Sequence, residues 1–235
     1  RNEFTYNSKG QNTRVKDTYN GLSNASYDVL GNVTSLSGPT GAITTYAFDK
    51  IGRLASKTTT SGHTETYGYN ALNLKTSLTN GRGQSRTYTY DALGRVLTCV
   101  DADDSMSFTY DDNGNVLTAT NKNGTVTRTF DALNRVSSYT DTFGKTVGYV
   151  YDAVGNLVRL TYPDNTSVVY EYDANNNLTK VTDWANRVTT YTYDVNNRVI
   201  GVVKPDGTTT TTQYDDKQRI TYTVERTTSG AIISG

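Results

Sequence analysis

Aromatic and polar residues alternate along this chain in short runs, and each run ends in the same polar turn. In TYTYDALGRVL, residues 87–97, Tyr88 and Tyr90 stand two apart with Thr89 between them, and Asp91 and Gly94 follow. A period of two places both rings on one face of a strand. Asp first and Gly fourth specify a type I turn followed by a left-handed residue, the three-residue hairpin loop with a bulge. That turn sets Asp91 against Arg95 and Tyr90 against Val96, an aromatic–β-branched pair. The Asp91 carboxylate is placed to accept the backbone N–H two residues on.

The same line is written eleven times. With the aromatic before the Asp or Asn as position 0, it falls at Tyr6, Tyr27, Phe48, Tyr69, Tyr90, Tyr110, Phe130, Tyr151, Tyr172, Tyr193 and Tyr214. The spacing is 21 residues eight times and 20 twice, which predicts one repeat array over residues 1–235. Position +1 is Asp nine times, as at Asp91 and Asp152, and Asn at Asn7 and Asn70. Position +4 is Gly six times, as at Gly94 and Gly155, and Asn four times (Asn73, Asn134, Asn176, Asn197), with Gln218 as the exception. Gly and Asn share a tolerance of positive φ.

Position −2 shares the face of position 0, so Tyr88 with Tyr90, Tyr149 with Tyr151, Tyr170 with Tyr172 and Tyr191 with Tyr193 predict two aromatic stripes. Position +6 is aliphatic nine times and faces the ring. Position +9, often apolar (Leu36, Leu78, Leu160, Val181, Val202), is expected on the opposite face. Position +14 is Gly or Asn nine times, so a second turn recurs in each repeat. The pattern predicts an all-β chain of about 22 antiparallel strands, with no helix-length amphipathic segment.

Composition agrees. Nineteen Tyr, three Pro and abundant Thr favour strands. The 23 basic and 23 acidic residues balance, which argues against a nucleic-acid binder. No apolar run of ~18 residues is present to span a membrane. The single Cys99 excludes an internal disulfide.

The segments YDALGRV, FDKIGRL, YDAVGNL and YDDNGNV, with their TYTYD-like returns, resemble the Rhs/YD repeats of bacterial polymorphic toxins, toxin-complex shells and teneurin-like surface proteins. The resemblance covers residues 1 to about 228. It implies a curved or spiral β-solenoid shell, a secreted or cell-surface location in a bacterium, and as partners further YD repeats of the same chain or other copies and an encapsulated toxin domain. Cell-surface glycans are the partner expected if the Tyr ladder instead stacks on sugars at a wet surface. The family's C-terminal core motif, self-cleaving protease residues and variable toxin domain do not occur in these residues.

Candidate chemistry is sparse. His63, the single His, lies beside a turn Gly at no repeat position and reads as an exposed bystander. Cys99 reads as a strand packing residue. The acidic stretches DADD (101–104) and DDNGN (111–115) match neither the EF-hand nor the nonapeptide calcium spacing, so their carboxylates read as turn residues. Trp184 reads as a contact residue or a side chain folded over the sheet edge. The Arg residues at +5 are expected to pair with turn Asp residues of neighbouring repeats. No catalytic, metal or cofactor set emerges, and a structural, non-catalytic scaffold is the leading expectation. An extracellular adhesion or carbohydrate-binding module and a self-assembling filament subunit are the alternatives.

Dimensions add one expectation. About 22 strands spaced ~4.8 Å apart would close into a ring roughly 32 Å across. A compact 100-residue guest needs about that width before any side chain points inward. The repeats are therefore expected to form an arc of something larger, with open edge strands.

Overall fold

The computed structural model describes residues 1–234. Two compact units are formed, Arg1–Tyr110 with Ala119–Asn123, and Asp111–Thr118 with Gly124–Gly235. The fold is all-β, and every strand pairing given below is antiparallel.

In the first unit the strands are β1 (Glu3–Tyr6), β2 (Asn12–Lys16), β3 (Leu22–Tyr27), β4 (Val33–Ser37), β5 (Ile43–Phe48), β6 (Leu54–Thr59), β7 (Thr64–Tyr69), β8 (Lys75–Thr79), β9 (Ser85–Tyr90), β10 (Val96–Val100) and β11 (Ser105–Tyr110). Each pairs with the next in sequence, as β9 with β10 and β10 with β11. Strand β12 (Val116–Asn121) contributes residues to both units. The second unit continues with β13 (Gly124–Phe130), β14 (Val136–Thr140), β15 (Thr146–Tyr151), β16 (Leu157–Thr161), β17 (Ser167–Tyr172), β18 (Leu178–Thr182), β19 (Val188–Tyr193), β20 (Val199–Val203), β21 (Thr209–Tyr214), β22 (Ile220–Arg226) and β23 (Ile232–Ser234). The twenty-third strand arises because residues 227–231 make one more turn, with Gly230 at φ +85°.

Register follows from the turn. Val96 faces Tyr90, and the ladder then shifts so that Thr98 faces Thr89 and Cys99 faces Tyr88. One residue is inserted between +6 and +8, and an inserted residue reverses the in–out alternation beyond it. Position +9 therefore lies on the aromatic face, opposite position −2. Leu160 faces Tyr149, Val181 faces Tyr170 and Val202 faces Tyr191. The expectation of an opposite-face +9 position is corrected by this bulge. One face thus gathers −2, 0, +6 and +9.

The other face carries hydroxyls. Thr89 Oγ1 meets Thr98 Oγ1 at 2.6 Å, and Thr129 Oγ1 meets Ser138 Oγ at 2.6 Å. Where Gly replaces a strand side chain, the partner hydroxyl takes the space. A Cβ on Gly201 would stand 2.4 Å from Thr192 Oγ1.

Burial is shallow. Val168 and Val224, 6% and 3% exposed, are the two fully buried apolar residues among those described. Tyr88, Tyr90, Tyr149, Tyr151, Tyr170, Tyr172, Tyr191 and Tyr193 are half-buried, whereas Thr89, Val150, Glu171 and Thr192 between them are exposed. A single sheet layer covers each ring with its strand neighbours and leaves the far side open.

Candidate functional site

Chemistry-bearing residues recur in this structure instead of converging on one pocket. The unit is the first turn of each repeat. Asp91 Oδ1 accepts the N–H of Leu93 and of Arg95, both at 2.9 Å, and its Oδ2 accepts Arg95 Nε at 2.6 Å. The Asp91 N–H donates to the Arg95 carbonyl, and the Gly94 N–H donates to the Asp91 carbonyl. Gly94 has φ +80°, Gly155 +107°, Asn176 +65° and Asn197 +60°. Gln218, the apparent exception, adopts φ +66° as well, so the turn geometry overrides an unsuited residue.

Asp152 makes the same turn with Asn at +5. Its Oδ1 accepts the Asn156 N–H at 2.8 Å and its Oδ2 accepts Asn156 Nδ2 at 2.9 Å. These bonds favour the carboxylate form. The Arg53 N–H and guanidinium hold the Asp49 carboxyl below its ordinary range, and the Asn177 amide does the same for Asp173. Burial opposes the shift at Asp91 and Asp152 and is outweighed by these donors.

Three contacts recur between neighbouring repeats. The first is made where position 0 is Tyr, whose hydroxyl donates to the +6 carbonyl of the preceding repeat; Phe48 and Phe130 have no hydroxyl to give. Tyr69 reaches Leu54 at 3.0 Å, Tyr90 reaches Lys75 at 2.6 Å, Tyr110 reaches Val96 at 2.7 Å and Tyr193 reaches Leu178 at 2.7 Å. That carbonyl stands beside the bulge. Burial pushes the Tyr90, Tyr172 and Tyr193 hydroxyls up from their ordinary pKa. Tyr67, at −2, is pushed to about 12 by its bond to the Glu65 carboxylate.

The second contact is made by Arg at +5. Each bonds the Asp of its own turn, as in Arg53–Asp49, Arg95–Asp91, Arg135–Asp131 and Arg198–Asp194. This corrects the expected pairing with neighbouring Asp residues. The Asp carboxylate fixes a guanidinium only four residues away, and the plane that remains covers the next repeat's ring. Arg95 lies 4.6 Å from the Tyr110 centroid, Arg135 4.7 Å from Tyr151 and Arg198 4.6 Å from Tyr214. Arg135 Nη1 also donates to the Asp152 carbonyl at 2.8 Å.

The third contact is made by Asn at +4. All four Asn residues accept a bond from the +5 side chain of the preceding repeat. Asn73 accepts Arg53 Nη1 at 2.9 Å, Asn134 accepts Asn115 at 2.8 Å, Asn176 accepts Asn156 at 2.9 Å and Asn197 accepts Asn177 at 2.8 Å. Gly and Asn serve the turn alike, and the +5 residue does not foretell the relay, because Arg or Asn at +5 also precedes Gly52, Gly114 and Gly155.

The remaining candidates have local partners. His63 Nδ1 contacts Ser61 Oγ at 2.7 Å, within its own exposed turn. Cys99 is half-buried opposite Tyr88. Asp101 takes Arg86 at 2.6 Å, and its N–H bonds the Asp104 carbonyl in a turn one residue shorter than the usual one. That deletion accounts for the 20-residue spacing from Tyr90 to Tyr110. Trp184 stands 56% exposed at the β18–β19 turn, edge-on to Tyr162 at 6.0 Å.

A family model of the teneurin YD-shell matches residues 70–219, and the RHS repeat model matches residues 27–64 and 48–85. The chain belongs to the teneurin YD-shell family. Among solved structures, this YD-shell chain is similar to the Photorhabdus luminescens Tc holotoxin pore, at 14% identity and TM-score 0.50 over 89% of its length. It is similar over 97% of its length to TcdB2-TccC3-Cdc42 at 15% identity, and to TcdB2-TccC3 at 14% identity, each with TM-score 0.50. The chain spans 14%, 16% and 16% of those three chains. At these identities the likeness concerns the fold. No curated protein matches the chain. The Tyr–Asp pair of the YD-shell now has two separate duties. The Tyr binds backward to the preceding repeat, and the Asp closes its own turn.

Proposed function

We propose that this chain is a structural, non-catalytic piece of the wall of an encapsulating β-shell, formed by one continuous YD array in a secreted bacterial toxin or cell-surface protein. Its immediate partners are further YD repeats, and a toxin domain is the guest. The observation that carries this reading is the hydroxyl ladder of Tyr69, Tyr90, Tyr110 and Tyr193. It spends the most regular side chain of the array on bonding one hairpin to the last. Stability in such an array accumulates from neighbour contacts and needs no central site. No described helix is long and apolar enough to cross a membrane.

A wall has an inside and an outside. Lysines mark both faces: Lys57 and Lys75 of the first unit lie on the aromatic face opposite Tyr46 and Tyr69, and Lys180 of the second unit lies on the hydroxyl face opposite Glu171. Lysine cross-linking of the full-length protein, read by mass spectrometry, tests the proposal. Cross-links to a non-repeat domain are expected from one of these faces alone, with that domain resistant to protease. Cross-links from both faces, or rapid digestion of the non-repeat domain, would overturn encapsulation.

A further inference from the structure

In the second unit, an open groove of ≈ 730 Å³ runs across three successive second turns. Lys145 ends the β14–β15 turn, Tyr162, Pro163, Asp164 and Thr166 form the β16–β17 turn, and Trp184 stands in the β18–β19 turn. No repeat rule calls for these aromatics. Position +11 is Asp at Asp17, Asp101, Asp141 and Asp183 but Tyr at Tyr162, and Trp184 is the single Trp of the chain. The Asp164 carboxylate is exposed. The turn's own bonds, from the Thr166 N–H at 3.0 Å and hydroxyl at 2.6 Å, both fall on Oδ1. Thr166 donates its hydroxyl proton there and keeps lone pairs for a ligand.

We propose that this groove binds a neutral oligosaccharide, with a pyranose ring against Trp184 and Tyr162 and its hydroxyls on Asp164, Thr166 and Lys145. The site stands apart from the wall reading and would function in a free array as well. Three observations select this ligand class. The volume falls within the range of small-molecule sites, yet the groove is shallow, which suits a flat ring more than an enclosed apolar molecule. Lys145 and Asp164 both line the groove, and Arg187, 5.9 Å from the Trp184 centroid, is paired with Asp183 at 2.7 Å, so the rim carries no excess charge and suits a neutral ligand. A proline-rich peptide also seeks aromatic grooves, but proline has no N–H to give Asp164, and docking would strip that carboxylate of water without replacing the bond. Sugar hydroxyls both donate and accept, matching a carboxylate, a hydroxyl and an ammonium on one rim.

Trp184 reports on the site directly, since no other Trp contributes emission. The intact 235-residue chain is titrated with cellohexaose, mannohexaose and chitohexaose, with hexaproline as the competing class. At least one hexasaccharide is expected to change Trp184 emission saturably, with Kd below ~1 mM. Tyr162→Ala should weaken that binding about tenfold or more, as for a central aromatic anchor. Asp164→Asn, which keeps shape and removes charge, should weaken it several-fold. If Tyr162→Ala lowers the melting temperature, Asp164→Asn alone decides. Emission unmoved by all three sugars, a response to hexaproline only, or unchanged affinity in Asp164→Asn would each overturn the proposal.

Discussion

The Tyr90 hydroxyl donates to the Lys75 carbonyl at 2.6 Å, fifteen residues back in the chain and one repeat away. The pair joins a side chain at the end of β9 to a backbone carbonyl at the start of β8, beside the bulge that follows the first turn. Because the partner is backbone, the bond is indifferent to what residue occupies +6. That is why Lys75, Leu54 and Leu178 all serve.

Removing only the hydroxyl isolates this bond. Tyr90→Phe is expected to destabilise the chain by about 0.5–1.5 kcal/mol, the usual net worth of one hydrogen bond. The converse change, Phe48→Tyr, places a hydroxyl at the one-repeat distance from Val33 and should be neutral or stabilising by a similar amount. Urea unfolding measures both. A Tyr90→Phe variant as stable as the parent would show that the ring's packing, not its hydroxyl, joins the repeats.

At Gly94 the backbone, φ +80°, sets the constraint. Gly94→Val should cost about 1–2 kcal/mol, the penalty for a left-handed L-residue. Gly94→Asn should cost markedly less, because Asn occupies this conformation at Asn73, Asn134, Asn176 and Asn197. Its new Cβ would lie 3.3 Å from the movable Leu74 Cδ1, so some adjustment is required. Equal losses for Val and Asn in equilibrium unfolding would contradict the conformational argument.

Coupling along the turns is measurable at Asn177 and Asn197. Asn197→Gly preserves the positive φ and deletes the acceptor, while Asn177→Ala deletes the donor. A double-mutant cycle should return a coupling of a few tenths to about 1 kcal/mol, given the partial exposure of the pair. Strict additivity of the two losses would mean that the relay carries no energy.

Acid should loosen together the first turns that begin with Asp. Asp49, Asp91, Asp173, Asp194 and Asp215 have carboxyls held below 3.8 in the folded chain. A depressed folded pKa contributes stability that is present in full above the unfolded value. That contribution is lost as pH falls through the folded value. The melting temperature is therefore expected to hold from pH 7 to about pH 5 and to fall steeply below about pH 4. Asp49→Asn should flatten its share of that fall. A melting temperature independent of pH between 5 and 2 would refute the role assigned to these carboxylates.

Local chemistry was legible along the chain because it is local. A four-residue turn is decided by which residues tolerate positive φ and which can fold a carboxylate back on the backbone. The period of Asp91–Gly94 and its copies therefore announced strands, turns and the Tyr90–Val96 register without any tertiary information. What lay beyond the bulge was not legible. One inserted residue reverses the alternation, and a pattern read by parity then places Leu160 and Val181 on the wrong face. Contacts between repeats were hidden for a different reason. Arg135 has its own Asp131 and the next Tyr151 within reach, Asn176 can serve as turn former or acceptor, and Tyr90 can point its hydroxyl to water or backward. Only the stacking of one hairpin on the next, which sets distances between residues 15 to 20 apart in sequence, decides among them. The groove between Lys145, Tyr162 and Trp184 belongs to the same class. Its members occupy three turns that the sequence lists separately and that the sheet brings side by side.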